Sequence, residues 1–595
     1  MRLSLEGPDL PFREIWLADF EFVADEGETQ RPVCMVAEEY WSGRQIRMWE
    51  DELLGLDAAP FDTGPNSVMV AYFASAEAGC FEALGWPHPI NTLDLFAEFR
   101  VITNGCKLPR GRGILGAAAY FDVPSINAEE KEVMRELVLA GGPWTAQERA
   151  DILDYCASDV ELLRPLFEAM APHFAAKPTR LGHSIWRGRY MSAVANMEHR
   201  GIPIDTETLG VLRDRWEDIQ QDLITEVDAD FGVYDGRTFK TSRFEDYLAR
   251  NHMWWPRLET GALALDDDTF KDQARNYPQI QPLRELRHAL GELRLNSLAV
   301  GADGRNRTLL SPFRSKTGRN QPSNAKYVFG AATWIRGLIK PTEGTAVAYL
   351  DFSSQEHAIA GALSDDDKLW SAYQSGDPYL QFAKDAGLAP SKATKETHKA
   401  VRNRCKAIVL GVFYGMSYHS MANRAGIHLA EARELLQLHR ETYHVFWSWA
   451  ENNVDTALAG GTLTTPMGWQ YRIGHADETN PRSALNWPMQ AGGAEILRLT
   501  SVHLHQAGVW LCGPIHDAVL IEAPLDRIDS EVARTTEIMQ QACRHVMRGK
   551  TCRVDADVIK SPDRFMDLDR GLKMWNSVMK SVGLPPYQHQ EGGEI

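Results

Sequence analysis

The chain opens with apolar runs of strand character. EIWLADFEFVA (14–24) and RPVCMVAEEY (31–40) predict two neighbouring strands joined by the polar turn DEGETQ. In AQERADILDYCASDVELLRPLFEAM (146–170) the apolar spacing becomes that of a helix. The composition then turns to Ala, Lys, Pro, Thr and Gly over 175–182, which reads as a domain join. Residues 183 to about 300 carry mixed charge at helical spacing. A polar, basic loop at 314–326 leads to the strand TAVAYLDFS (345–353) and a helix-rich block reaching about 500. The strand pair VWLCGPI (509–515) and AVLIEA (518–523) flanks His516 and Asp517. There is no repeat, heptad array or low-complexity tract, and the tail PPYQHQEGGEI reads as loose.

At 595 residues the chain exceeds a single core, so several domains are expected. No run approaches a membrane span, and the first 22 residues lack the layout of a signal or transit peptide. Eight scattered cysteines without a CxxC pair imply reduced thiols of a cytosolic protein, and Cys405 reads as packing. Taken alone, the net charge of −18 argues against a nucleic-acid partner. Local charge decides at a phosphate backbone, however, and two basic tracts stand out. One holds Arg314, Lys316, Arg319, Lys326, Arg336 and Lys340; the other holds Lys392, Lys395, Lys399, Arg402, Arg404 and Lys406. Such concentration suits a DNA cleft.

Within the second tract, RNRCKAIVLGVFYG places Arg402, Lys406, Leu410 and Tyr414 on one helical face ending at Gly415. Two cations, an apolar side chain and a ring suit a nucleoside triphosphate, although a regular solvated helix would look the same. Asp351 at a strand end and Asp517 at the turn between two strands could hold two divalent ions for phosphoryl transfer, or serve as ordinary turn residues. Asp19 and Glu21 share a strand face, and Tyr155 and Asp159 share a helix face. Together they offer metal ligands and a phenol to orient an attacking water.

With these pieces in order, nearly the whole chain resembles family A DNA polymerases, the class of the large fragment of bacterial DNA polymerase I. The phage-encoded members without a 5′-nuclease domain resemble it most. TGR (317–319), DFSSQEHAIAGALS from Asp351, the stripe Arg402–Gly415, RSALNWPMQAGGAEIL from Arg482 and HDA (516–518) match the polymerase motifs in order. MEHRGIPID (197–205) resembles the segment leading into the thumb.

The resemblance implies an α/β multidomain fold. Residues 1–178 would form an RNase H-like 3′–5′ exonuclease domain and residues 179–595 a right-hand polymerase domain. Within the latter the thumb would span about 197–308, the palm about 309–365 and 480–595, and the fingers about 366–479. Asp351 and Asp517 would bind two Mg²⁺ ions, Arg402 and Lys406 the triphosphate, with Lys406 offering a proton to pyrophosphate. Tyr414 would sit beside the templating position, Leu410 would face the sugar, and Glu356 would crowd a ribose 2′-hydroxyl. Arg319, Arg482, Asn486, Gln490 and His516 would meet DNA, with Arg319 and Gln490 at minor-groove acceptors common to all base pairs.

In the exonuclease domain, divalent ions would be held by Asp19, Glu21 and Asp159 with Tyr155 beside them. Glu77, ending AYFASAE, is expected to complete this set in preference to Asp94. Two departures touch the polymerase site: Ala518 where many relatives carry an acid, and Leu410 where most carry Phe or Tyr. The expected partners are primer–template DNA and dNTPs, with no membrane and no accessory protein that the residues identify. The expected state is a monomer in the cytoplasm, that of a host cell if phage-encoded, acting in phage DNA replication. A nuclease whose C-terminal part only grips DNA, or an inactive DNA-binding subunit, are the rival readings.

Overall fold

The computed structural model describes residues 10–125, 128–292, 295–473 and 480–588. The readings made on residues 1–9 and 589–595, at the start of the chain and the end of the tail, lie outside them.

The first unit is built on a five-stranded sheet. Its order is Gln45–Trp49, Arg31–Glu39, Glu14–Val23, Ser67–Ala71, Thr92–Asp94. The first three strands pair antiparallel and the last two join the centre in parallel. Strand Glu14–Val23 is central and buries both faces. Ile15 and Leu17 enter one apolar cluster, while Trp16, Ala18 and Phe20 enter another. Burial on both faces explains why this strand reads as a nearly continuous apolar run. Asp19 and Glu21 fall on the Ile15 face, toward helix Ala146–Phe174. That helix starts at a capping box between Thr145 and Glu148, which satisfies two of its free backbone donors.

The predicted join is a three-residue break before helix Pro178–Arg200, with proline in its first turn. This helix belongs to both halves of the molecule. A Cβ at Gly188 would lie 1.8 Å from the Thr92 carbonyl oxygen, so only glycine lets the helix close on the edge strand. One residue earlier, Arg187 pairs with buried Glu98 at 2.6 Å and donates to the Met467 carbonyl.

Residues 206–292 are largely helical, as the spacing predicts, with rings of Phe244, Trp255 and Phe270 at their core. A four-stranded antiparallel sheet follows, in the order Trp510–Ile515, Ala518–Pro524, Thr345–Phe352, Val554–Lys560. Helices Pro481–Gln506 and Ile528–Val546 pack on it, and helices between 355 and 458 form a further layer. The strand pair around His516 and Asp517 is present as expected. The edge strand Val554–Lys560 and the hairpin Thr462–Thr464/Gln470–Arg472 have no counterpart in the sequence reading. Among the described residues, no helix is long and apolar enough to cross a membrane. All eight cysteines are free thiols, and Cys405 is buried.

Candidate active sites

In the C-terminal sheet, Asp351 stands in register with Ala518 on one neighbouring strand and Asp555 on the other. Asp517 occupies the two-residue turn beside it, and its carbonyl accepts from the Phe352 N–H at 3.2 Å. The turn holds His516 at φ +52, and the residue opening the helix after Asp351, Ser354, also has φ +52. Two side-chain-bearing residues in the left-handed region at one site mark a strained, over-determined backbone. Burial, then Asp517 and then Asp555 push the Asp351 carboxyl up to about 7, and the two aspartates are close enough to share a proton. Burial raises Asp517 as well, against the pull of Arg319. A pair of hard oxygen donors that hold a proton between them fits a divalent cation.

Arg319 reaches this pair from the loop Ser315–Arg319. Gly318 turns that loop at φ +78, and a Cβ there would lie 2.8 Å from an Arg498 nitrogen. Arg498 donates to the Gly318 carbonyl at 2.8 Å, while Trp469, Trp487 and Asn104 all donate to the Lys316 carbonyl. The Arg319 guanidinium stands 3.7 Å from Glu356, and its Nε is buried without a partner. Burial raises the Glu356 carboxyl. Behind Glu356, Gln355 is fully buried, and a Cβ at Gly493 would lie 2.5 Å from its amide oxygen. Glycine there lets helix Pro481–Gln506 approach the strand end. Arg482, Asn486 and Gln490 follow one another by four along that helix, from an exposed Arg482 to a half-buried Gln490.

The basic stripe forms helix Lys399–Phe413, with Tyr414 as its cap and Gly415 at φ +60. A Cβ at Gly415 would meet the Arg482 carbonyl at 2.7 Å, so the stripe ends against the start of the long helix. Arg402 ion-pairs with Asp377 and lies 5.5 Å from the Tyr379 ring centre. Lys406 lies 5.6 Å from the same ring, and Ser354 pulls its phenol down against the rise that burial imposes. Tyr379 therefore ties the stripe to the segment after Asp351. Leu410 is half-buried and Tyr414 exposed.

Sequence reasoning missed Asp377, Tyr379 and Asp555. Asp377–Pro378 carries an N-cap signature, but nothing local signals the pairing with Arg402. The basic tracts also hold less free charge than their composition suggests. Lys326, Arg336 and Lys340 face Glu26, Asp567 and Asp205, and Arg404 pairs with Glu431.

In the first unit, carboxylate oxygens of Asp19, Glu21 and Asp159 lie within 4.8 Å of one another. Burial and Asp159 push Asp19 up to about 8, and burial and Asp19 push Glu21 up to about 10. Such crowding of hard donors fits a divalent ion. The Cys156 thiol donates to Asp19, and burial raises the Tyr155 phenol. Lys131, which the sequence did not single out, bonds both oxygens of Asp159.

Glu77 and Asp94 differ sharply. Asp94 caps helix Leu95–Thr103 and accepts from the N–H groups of Phe73, Ala74, Phe96 and Ala97. Glu77 is buried with Oε2 unpartnered, and burial and Asp19 hold its carboxyl well above the usual range. It stands outside the three-residue group.

A profile of DNA polymerase family A matches residues 319–558. The thermostable DNA polymerase I of Thermus thermophilus is 27% identical over 219 residues, which cover 35% of this chain and 26% of that protein. The DNA polymerase of Mycobacterium phage D29 is 22% identical over 370 residues, 59% of each chain. The chain thus spans about a quarter of the length of the first of these relatives. Among solved structures, the POL domain of Pol1 from M. smegmatis, in complex with DNA primer-template and dNTP, superposes with a TM-score of 0.69 at 19% identity. The match covers 91% of this chain and 95% of that one, and it shows the shared fold. Residues 319–558 are thus similar to DNA polymerase family A, and they lie within a fold shared with a solved polymerase domain.

Proposed function

We propose that the chain is a template-directed DNA polymerase that adds deoxynucleotides to a primer 3′ end, and that its first unit is a 3′–5′ proofreading exonuclease. The observation that carries the first activity is the buried Asp351–Asp517 pair linked through Ser354 and Tyr379 to Arg402 and Lys406. A protein that only gripped DNA would have no use for paired carboxylates beside a triphosphate-sized cationic stripe. The Asp19, Glu21, Asp159 cluster with Tyr155 supports the second. The sheet order, three antiparallel strands followed by two parallel, supports an RNase H-like unit over 1–178. Residues 179–595 are assigned to the polymerase domain. Its palm holds the four-stranded sheet, its fingers the stripe, and its thumb the helices of about 197–308.

In this reading Arg402 and Lys406 hold the triphosphate, and Asp377 and Tyr379 fix the Arg402 guanidinium before substrate arrives. Lys406 offers a proton to departing pyrophosphate. Glu356, held beside Arg319, fills the space a 2′-hydroxyl would need. Arg319 and Gln490 meet minor-groove acceptors of the terminal pair, and Arg482, Asn486 and His516 line the DNA path. Asp351 and Asp517 at one centre, and Asp19, Glu21 and Asp159 at the other, would hold divalent ions, Mg²⁺ foremost. When bound, they would supply Lewis acidity at the attacking and leaving oxygens. At the exonuclease centre Tyr155 orients the attacking water, and Glu77 lies buried beside Asp19 with its carboxyl held well above the usual range. Primer–template DNA and dNTPs are the partners, and the chain acts as a monomer in phage DNA replication.

A labelled primer–template incubated with Mg²⁺ tests this. The primer should lengthen when dNTPs are present and shorten when they are withheld. Shortening under both conditions would leave only a nuclease, and no change would leave a binding subunit.

A further inference from the structure

Helix Ala128–Leu139 packs against strand Glu14–Val23 and helix Ala146–Phe174, the two elements that supply the exonuclease carboxylates. From it Lys131 reaches into the cluster. Its ammonium bonds both oxygens of Asp159, one at 2.6 Å, and stands 5.2 Å from the Tyr155 ring centre. Lys131 is largely buried, with 22% of its side chain exposed against 9% for Asp159. A partly desolvated ion pair is held far more strictly than a surface one. Tyr155 and Asp159 stand four apart on one helix, so a single cation from a second helix fixes both side chains at once.

We propose that Lys131 is the positioning residue of the exonuclease centre, setting the Asp159 carboxylate and the Tyr155 phenol in the arrangement excision needs. The inference rests on the exonuclease reading above and deepens it. Lys131 bonds no residue of the polymerase centre, so its influence should stay within the first unit. In the hydrolysis it serves, a water oxygen bonds to the terminal phosphorus as the bond to the penultimate 3′-oxygen breaks. That oxygen leaves as a hydroxyl after gaining a proton, one water proton passes to solvent, and a 5′-monophosphate is released. Lys131 stays protonated and exchanges nothing.

The test uses the full chain with Mg²⁺ and a single-stranded labelled oligonucleotide, comparing wild type, Asp19→Ala, Lys131→Met and Lys131→Arg. Methionine keeps the apolar stem over Tyr155 and removes the charge, whereas arginine can still span both Asp159 oxygens. Lys131→Met should lower kcat for excision about 10–100-fold, the range for losing an outer partner of a ligand carboxylate, with KM for the oligonucleotide changed less than about threefold. Lys131→Arg should recover most of the rate, and primer extension should match wild type in both. Equal excision by Lys131→Met and wild type would overturn the inference while leaving the exonuclease reading intact. Loss in Lys131→Met with no recovery in Lys131→Arg would also overturn it, because the charge would then not be what acts. Should wild type excise no faster than Asp19→Ala, the exonuclease reading itself fails and the inference falls with it.

Discussion

Leu410 sits half-buried on the stripe between Lys406 and Tyr414, on the face proposed to meet the incoming sugar. A branched aliphatic chain packs there without a ring face or a phenol. Leu410→Phe should raise single-nucleotide incorporation about 2–10-fold, the worth of one aromatic contact of about 0.5–1.5 kcal/mol, and alter the use of nucleotides lacking a 3′-hydroxyl. Equal rates for both proteins in a single-turnover measurement would contradict this. The carboxylates make a second prediction. Asp19 and Glu21 hold protons up to about 8 and about 10 in the folded chain, whereas in the unfolded chain carboxyls lose theirs near about pH 4. The folded, metal-free protein therefore binds more protons, and its stability falls as pH rises through that window. Mg²⁺ binds the deprotonated cluster, so it should raise the melting temperature more at about pH 8.5 than at about pH 6. Asp19→Asn with Glu21→Gln should shrink that difference, and a rise that ignores pH would count against the cluster as a metal site. The residues of this cluster were legible because a spacing of two on a strand and of four on a helix each define a face. Lys131, Asp377 and Asp555 were not, since each meets its partner from a different element. Asp555 also bears on Ala518. On the row of the sheet where Ala518 brings no acid, the opposite neighbour of Asp351 supplies one.

Among the elements, the loop Ser315–Arg319 shows how much structure one short motif requires. Ser315 closes it through bonds with Thr317, Gly318 and Arg319, and it is pinned from outside by Arg498, Trp469, Trp487 and Asn104, which come from three other segments. Gly318→Ala would place a side chain at φ +78 against Arg498 and Trp469. The cost should be about 1–3 kcal/mol of local strain, read as lowered thermal stability and, through a displaced Arg319, as weakened primer extension. Excision of a single-stranded oligonucleotide should be spared, and full extension activity in Gly318→Ala would contradict the proposed role of the loop. Strongly periodic elements were readable in the sequence: the two first strands, helix Ala146–Phe174, the stripe and the hairpin around Asp517. Strand Val554–Lys560 was not. It lies at a sheet edge, half of it faces water, and VDADVIK carries too little apolar signal to stand out. The small hairpin at Thr462–Thr464 was equally silent, with outward-facing threonines around a single buried leucine.

At the scale of the molecule, the two centres are carried by separate sheets but share a frame. Arg100, from the first unit, donates to the Phe313 and Arg314 carbonyls beside the loop that carries Arg319. Asn104 bridges Lys316 and Gln470, and helix Pro178–Arg200 packs on elements of both halves. That a first sheet near the start of the chain precedes a second one around Asp351 and Asp517 was legible from the apolar runs that form their strands. The polar interface that joins them was not, since backbone carbonyls as partners leave no mark on composition. Each centre has its own carboxylates, and each proposed activity should depend on its own set. The most direct measurement follows one labelled primer–template with Mg²⁺, with and without dNTPs, in wild type, Asp517→Ala and Asp19→Ala. Asp517→Ala should shorten the primer but never lengthen it, and Asp19→Ala should lengthen it but not shorten it. Substantial extension by Asp517→Ala would contradict the central assignment.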